Sequence, residues 1–127
     1  MAKNIIKLNR GDSYEFKISI PDKSDYPYIK NYILSDIDTV YFALLYPHQR
    51  FEDAILIKGY DHTDHIIKDG NNTGEILIKI EPKDTKNLVP GIYYYTIKLQ
   101  QGGTPGVLDD AVEVKTIVER TKFIINE

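Results

Sequence analysis

The segment Asp61-His62-Thr63-Asp64-His65 is the one stretch of the sequence that brings several metal-ligand side chains together. On an extended chain successive side chains point to opposite sides, so at most two or three of these residues could converge on one ion. A structural zinc site needs four ligands, and a catalytic one needs three with a water. We therefore interpret the segment as a solvated connector beside a turn. A zinc-induced rise in melting temperature would contradict this interpretation.

Other patterns that carry chemistry are missing from the sequence. With Cys 0, no cysteine nucleophile, disulfide or thiolate metal site can form. The three histidines lie between positions 48 and 65, and no Gly-x-Ser-x-Gly elbow accompanies them. The paired carboxylates Asp109-Asp110 are typical of a solvated loop, and Gly102-Gly103 opens no helix that could hold a phosphate. We expect neither catalytic residues nor a cofactor.

The composition predicts one domain that spans residues 1–127, because a chain of this length with 42% hydrophobic residues can form a single core. Lys+Arg 16 against Asp+Glu 19 gives a net charge of −3, so the chain lacks the basic field that nucleic acids select. No apolar run resembles a signal peptide or is long enough to cross a bilayer. We expect synthesis in the cytoplasm and neither nucleic acid nor membrane as a partner.

A turn followed by a strongly patterned strand organises the sequence. Its key residues are Asp84, Leu88, Pro90, Gly91 and Tyr93. An acidic residue, a Leu, a Pro-Gly turn and an inward Tyr are typical of the tyrosine corner of immunoglobulin-like sandwiches, in which the Tyr hydroxyl bonds to upstream backbone. A Tyr-rich β-hairpin could carry the same letters, so this alternative stays open at this point.

Alternation of apolar and polar residues predicts about seven strands, separated by turns rich in Gly, Pro, Asn and Asp. Tyr14 is predicted to point inward from the second strand and Ile57 from the fourth, and a bulge near Arg120-Thr121 would explain a phase change in the last. No helical period is evident. The predicted fold is an all-β, antiparallel, Ig-like β-sandwich, with strands near 4–9, 13–20, 39–46, 54–60, 75–80, 92–99 and 112–125.

Two further stretches could mediate contacts with other molecules. Arg10-Gly11-Asp12 matches an integrin-binding tripeptide, but its position between two short strands favours a tight structural turn. Tyr26, Tyr28 and Tyr32 form a group in the proline-rich crossing loop, and exposed aromatic rings can stack on sugars or form protein hot spots. Alternatively, these rings simply cap the open end of the sandwich.

Several stretches, taken in order, resemble the N-terminal β-sandwich domain of baseplate upper proteins and related Ig-like modules in tailed phages and prophages of low-GC Gram-positive bacteria. They are Arg10-Gly-Asp-Ser-Tyr14, Asp38-Thr-Val-Tyr-Phe42, Lys83-Asp-Thr85 with Leu88-Val-Pro-Gly-Ile-Tyr-Tyr-Tyr95, and Thr116-Ile-Val-Glu119 with Thr121-Lys-Phe-Ile-Ile125. The family's domains are scaffolds without catalytic residues. Its members usually continue into a stalk or receptor-binding part, which leaves open whether this chain stands alone or is a domain of a longer protein.

The resemblance implies a structural and assembly module of a tail baseplate, located in the virion. Its partners would be other tail or baseplate proteins, with a homo-oligomer in the assembled particle as a further option. The competing hypothesis is a carbohydrate-binding or adhesive Ig-like module, which a glycan array would distinguish. We also expect the last strand to offer a docking edge, because its Phe123-Ile124-Ile125 end is followed only by Asn126-Glu127.

Overall fold

The described part of the chain folds into eight β-strands arranged in two sheets. The computed structural model describes residues 4–22, 30–104 and 111–127. Two short 3₁₀ turns cover Phe51–Asp53 and His62–Asp64, and a one-turn helix, α1, covers Pro82–Thr85. The strands are β1 (Ile6–Asn9), β2 (Tyr14–Ser19), β3 (Asp38–Leu45), β4 (Leu56–Tyr60), β5 (His65–Lys68), β6 (Asn71–Ile80), β7 (Gly91–Gln101) and β8 (Glu113–Asn126).

The strand order is that of an immunoglobulin-like sandwich, which confirms the predicted fold class. One sheet has the order β1-β8-β7-β3-β4 and the other has the order β2-β6-β5. In the first sheet β8, β7, β3 and β4 correspond to strands G, F, C and C′ of the Ig fold, and β1 adds a fifth strand beside G; the second sheet corresponds to strands B, E and D. The strand count is eight rather than seven. The additional strand is β5, which a hairpin turn at Asp69-Gly70, with φ of 53° and 77°, joins to β6.

The pairing of β1 with β8 is parallel, whereas the sequence predicted only antiparallel pairs. Ile6 lies opposite Phe123, and Asn9 lies opposite Asn126. The Phe123-Ile124-Ile125 end of β8 is therefore enclosed between β1 and β7 and is not an open edge. That prediction was wrong because local alternation carries no information on a partner more than one hundred residues away.

One hydrophobic core fills the space between the two sheets. Alternate side chains of β6 and β7 point into it as predicted, and at its centre the rings of Phe42 and Tyr95 stack with centroids 5.6 Å apart. Tyr14, predicted to point inward, is 38% exposed because it begins an edge strand. The buried cluster consists of Ile6, Leu8, Leu34, Val40, Phe42, Leu44, Ile76, Ile78, Ile80, Tyr93, Tyr95, Ile97, Leu99, Phe123 and Ile125.

Strand β3 is buried on both faces, as its apolar sequence predicted. Its inward residues join the core, while Tyr41 and Ala43 on the outer face are covered by Phe51 from the loop that follows. The Lys98 ammonium group lies 4.8 Å from the centre of the Phe51 ring, which adds a cation–π contact. This loop therefore closes part of the outer face of the five-stranded sheet.

Strand β4 has the opposite phase to the one predicted. Ile57 is 44% exposed, and Lys58 lies opposite Phe42, on the face that points toward the other sheet. The alternation of hydropathy predicted the reverse because a lysine is normally assigned to the solvent side. The inward lysine is stabilised by an ion pair described below.

The predicted irregularity in β8 lies between Val118 and Thr121. Tyr95 lies opposite Thr121 and Ile97 opposite Val118, so β8 uses one residue more than β7 over this stretch. This is a β-bulge, and it reconciles the two phases of the strand. The start of β8 does not reach the core, because Val114 is 38% exposed.

Candidate functional site

The tyrosine corner lies between β6 and β7. The Tyr93 hydroxyl donates a hydrogen bond to the carbonyl oxygen of Val89, 2.5 Å away and four residues upstream. Leu88 packs against the core, and Gly91 begins β7 after Pro90. Burial raises the pKa of Tyr93, and the nearby Tyr46 adds to this shift. The hydroxyl is thus a structural hydrogen-bond donor in this turn.

Asp84, the acidic residue of this corner, is paired with Lys58. The Asp84 Oδ2 atom lies 2.6 Å from Lys58 Nζ and also accepts a hydrogen bond of 2.8 Å from the Glu81 backbone N–H. Lys58 Nζ donates a second bond of 2.7 Å to the Lys79 carbonyl oxygen. The side chains of Asp84 and Lys58 are only 5% and 17% exposed. This arrangement joins the edge strand β4 to the end of β6.

Helix α1 is also anchored to the turn between β1 and β2. Thr85 is completely buried, and its Oγ1 atom accepts a 3.0 Å hydrogen bond from the Gly11 N–H. The Asp12 N–H donates to the Asn9 carbonyl oxygen, which closes a tight turn through Arg10-Gly11. Gly11 has a φ of 83°, a conformation that glycine adopts without steric cost. The Arg-Gly-Asp tripeptide therefore forms a structural turn.

The carboxylates of the Asp61–His65 segment are used for local hydrogen bonds. The Asp61 Oδ1 atom accepts bonds from the N–H and the hydroxyl of Thr63, and these lower the pKa of Asp61. Asp64 in turn accepts a bond from the Asp61 N–H. The two side chains cap a 3₁₀ turn. Within residues 4–22, 30–104 and 111–127, no three His, Asp or Glu side chains are grouped so that they could hold a metal ion.

The prediction of a solvated segment was wrong for His65, which is buried and only 7% exposed. Its Nε2 atom accepts a 2.9 Å hydrogen bond from the Leu34 N–H, which requires the neutral imidazole with its proton on Nδ1. Burial lowers the pKa of His65 and favours this neutral form. His65 therefore fixes the segment that crosses from β2 to β3.

Of the three crossing-loop tyrosines, only Tyr32 lies in the described part of the chain; Tyr26 and Tyr28 lie outside it. Tyr32 is half-buried, and its hydroxyl donates a 2.5 Å hydrogen bond to Asp38 Oδ2. The same oxygen accepts a bond from the Ser35 N–H. Burial and the bond to Asp38 raise the pKa of Tyr32. The Tyr32 hydroxyl is thus engaged in a hydrogen bond within the protein.

Large aliphatic side chains are exposed around this network, at what we call the crossing-loop end: Ile33, Ile37 and Val112. Their exposed fractions are 46%, 61% and 85%. Ile37 and Val112 both adjoin Gly102, whose N–H bonds to the Ile37 carbonyl oxygen and whose α-carbon faces the Val112 side chain. Sequence analysis missed this surface. The available signal was that Ile37 is a large apolar residue in an Asp-rich turn, where solvation normally selects polar side chains.

An open cleft of about 820 Å³ lies between β4 and the β5–β6 hairpin. Its walls include the apolar side chains of Leu56 and Leu77. The ion pair of Lys58 with Asp84 lies in the same cleft. Each charged group of this ion pair therefore already has a partner of opposite charge within the cleft.

Comparison with known proteins assigns this chain to no family: neither a family model nor a curated protein matches it. In the part of the chain that the structure covers, no helix is both long enough and apolar enough to cross a membrane.

Proposed function

We propose that this chain is a non-catalytic structural and assembly module of a phage or prophage tail baseplate that docks onto neighbouring virion proteins. The observation that carries the proposal is the exposure of Ile33, Ile37 and Val112 at the crossing-loop end. Ile37 and Val112 both adjoin Gly102, and exposed apolar side chains that lie close together are typical of protein interaction surfaces. The resemblance of ordered motifs to baseplate upper proteins supports a tail subunit as the partner.

The environment of the polar residues supports a structural rather than a catalytic role. Lys58 is paired with Asp84, and the carboxylate of Asp61 caps a turn. The imidazole of His65 accepts a backbone N–H with the nitrogen that a general base would use. Each of these groups stabilises a connection between strands.

Incorporation into particles tests the proposal. Tail particles purified from an induced culture of the source bacterium should contain this chain by mass spectrometry. The variants Ile37→Ser and Val112→Ser should be incorporated less than the wild type, because both remove exposed apolar contacts without disturbing the core. The matched control is Ile57→Ser on β4, which is 44% exposed and should be incorporated normally.

The proposal fails if the chain is absent from the particles or if all three variants are incorporated equally. Specific binding on a glycan array, lost in Tyr28→Ala, would instead support the adhesive alternative.

A further inference from the structure

Strand β2 is the longest edge strand in the described part of the fold. It pairs with β6 over six consecutive residues, Tyr14 to Ser19, with no bulge. No other strand of the described residues pairs with it on the opposite side. In constant-type Ig domains the first strand occupies that position, but here β1 pairs with β8 instead. Among the described residues, one row of β2 backbone groups is consequently left for a further strand.

The sequence of this edge is complementary to itself. When two copies of β2 are placed antiparallel with Phe16 opposite Phe16, Glu15 of each copy lies opposite Lys17 of the other. In the same register Tyr14 lies opposite Ile18, and Ser13 lies opposite Ser19. Opposite charges and apolar pairs at directly opposed positions stabilise antiparallel strands. Every pair in this alignment is therefore favourable or neutral.

The inward side chains of β2 leave apolar surface that a further strand could cover. The side chains that point toward the core are only partly covered: Tyr14 is 38% exposed, and Phe16 and Ile18 are half-buried. In β6, which pairs with β2, the corresponding isoleucines are almost completely buried. A strand added beside β2 would cover this apolar row, because neighbouring strands lie about 4.8 Å apart.

We propose that two copies of this chain associate through their β2 edges, antiparallel and centred on Phe16, to form a continuous six-stranded sheet. Such an interface is two-fold symmetric, so each copy contributes the same residues. The interface is small and involves two cross-strand Glu15–Lys17 pairs, so the dimer is weak and sensitive to salt. This inference uses neither the crossing-loop end nor a tail partner, and it stands independently of the proposed function.

Charge reversal at the exposed positions tests the pairing. Sedimentation velocity from micromolar to millimolar concentration should show a monomer–dimer equilibrium for the wild type. Glu15→Lys and Lys17→Glu should each weaken the dimer about tenfold or more, because each places like charges opposite one another twice. The double variant Glu15→Lys/Lys17→Glu restores both pairs and should recover the wild-type dissociation constant. Lys68→Glu, the same charge change on the edge strand β5, should have no effect.

A cysteine test fixes the register, since the chain has no cysteine of its own. Directly opposed residues have Cα atoms about 4.5 to 5.5 Å apart, within the range of a disulfide. A mixture of Glu15→Cys and Lys17→Cys should form a disulfide-linked heterodimer under mild oxidation, and either variant alone should do so far less. A wild type that stays monomeric at millimolar concentration, or a dimer insensitive to both charge reversals, would overturn the proposal.

Discussion

At the scale of single residues, the corner tyrosine shows how one hydroxyl group can stabilise a strand entry. Tyr93 is 4% exposed and spans the turn with its bond to Val89. Its neighbour Tyr94 lies on the opposite face and is half-buried, and its hydroxyl makes no hydrogen bond within the described residues. These adjacent tyrosines form a natural matched pair for experiment.

We expect Tyr93→Phe to lower the free energy of unfolding by about 1 to 2 kcal/mol, because the Val89 carbonyl oxygen loses its partner. Tyr94→Phe should change it by less than about 0.5 kcal/mol. Urea denaturation of the two variants measures the difference. Equal midpoints would show that the corner hydrogen bond does not contribute to stability.

His65 makes stability depend on pH. Its pKa in the folded protein is lowered by burial, so the unfolded chain takes up a proton before the native protein does. Above the ordinary pKa of 6.5 both states are neutral and the contribution is complete. As the pH falls below that value, stability should decrease by at most about 1.4 kcal/mol per pH unit.

The measurement is a set of urea midpoints between about pH 7.5 and about pH 5.5, above the range in which most carboxylates titrate. His65→Leu should remove this component of the pH dependence. The control His62→Leu, at an exposed position in the same segment, should retain it. If both variants keep the wild-type slope, the protonation of His65 does not control stability.

At the scale of elements, the Lys58–Asp84 pair connects an edge strand to the corner helix. Asp84→Ala should lower the free energy of unfolding by about 2 to 4 kcal/mol, because it removes the buried carboxylate partner of Lys58 and the acceptor of the Glu81 N–H, and leaves the ammonium group with the Lys79 carbonyl oxygen and the more distant, half-exposed Glu81 carboxylate. Lys58→Met should cost less, because Asp84 keeps its bond from Glu81. In a double-mutant cycle the two changes should couple by about 1 to 3 kcal/mol.

The control for that cycle is Lys83→Met. Lys83 lies 3.8 Å from Glu81 in a pair that is largely exposed, so its removal should change stability by less than about 0.5 kcal/mol. Additive effects of Lys58→Met and Asp84→Ala would show that the two groups are stabilised separately.

Sequence patterns predicted the elements whose information is local. The alternation of apolar and polar residues in β6 and in β7 is a property of neighbouring residues. The apolar side chains of both strands point into the core as predicted. The inward Lys58 was not predictable in this way, because its partner is 26 residues away in the chain. The burial of His65 likewise depends on a backbone N–H from the crossing segment. Hydropathy patterns indicate which side chains prefer solvent. They do not predict the burial of a polar residue whose hydrogen-bond partner is distant in the sequence.

At the scale of the whole molecule, the strand order predicts a gradient of local stability. Strands β3 and β7 are paired on both sides and carry much of the buried cluster. The edge strands β4 and β5 are paired on one side only within the described fold. Amide groups of β3 and β7 should therefore exchange most slowly.

Native-state hydrogen exchange followed by mass spectrometry measures this gradient. Peptides that cover β5 should exchange well before those that cover β3. Uniform protection of all strands would contradict the prediction and would indicate that the domain opens only as a unit.

The parallel pairing of β1 with β8 also determines how the domain responds to mechanical force. The chain enters the pair at Ile6 and leaves it at Asn126, at the opposite end of the same four-residue ladder. The Arg10 N–H extends the ladder with a bond of 2.8 Å to the Asn126 carbonyl oxygen. When the two chain ends are pulled apart along the strands, these hydrogen bonds are loaded together in shear and must break almost simultaneously. Tension along the strands would be carried by this short ladder, whereas a force perpendicular to the strands would open it one bond at a time.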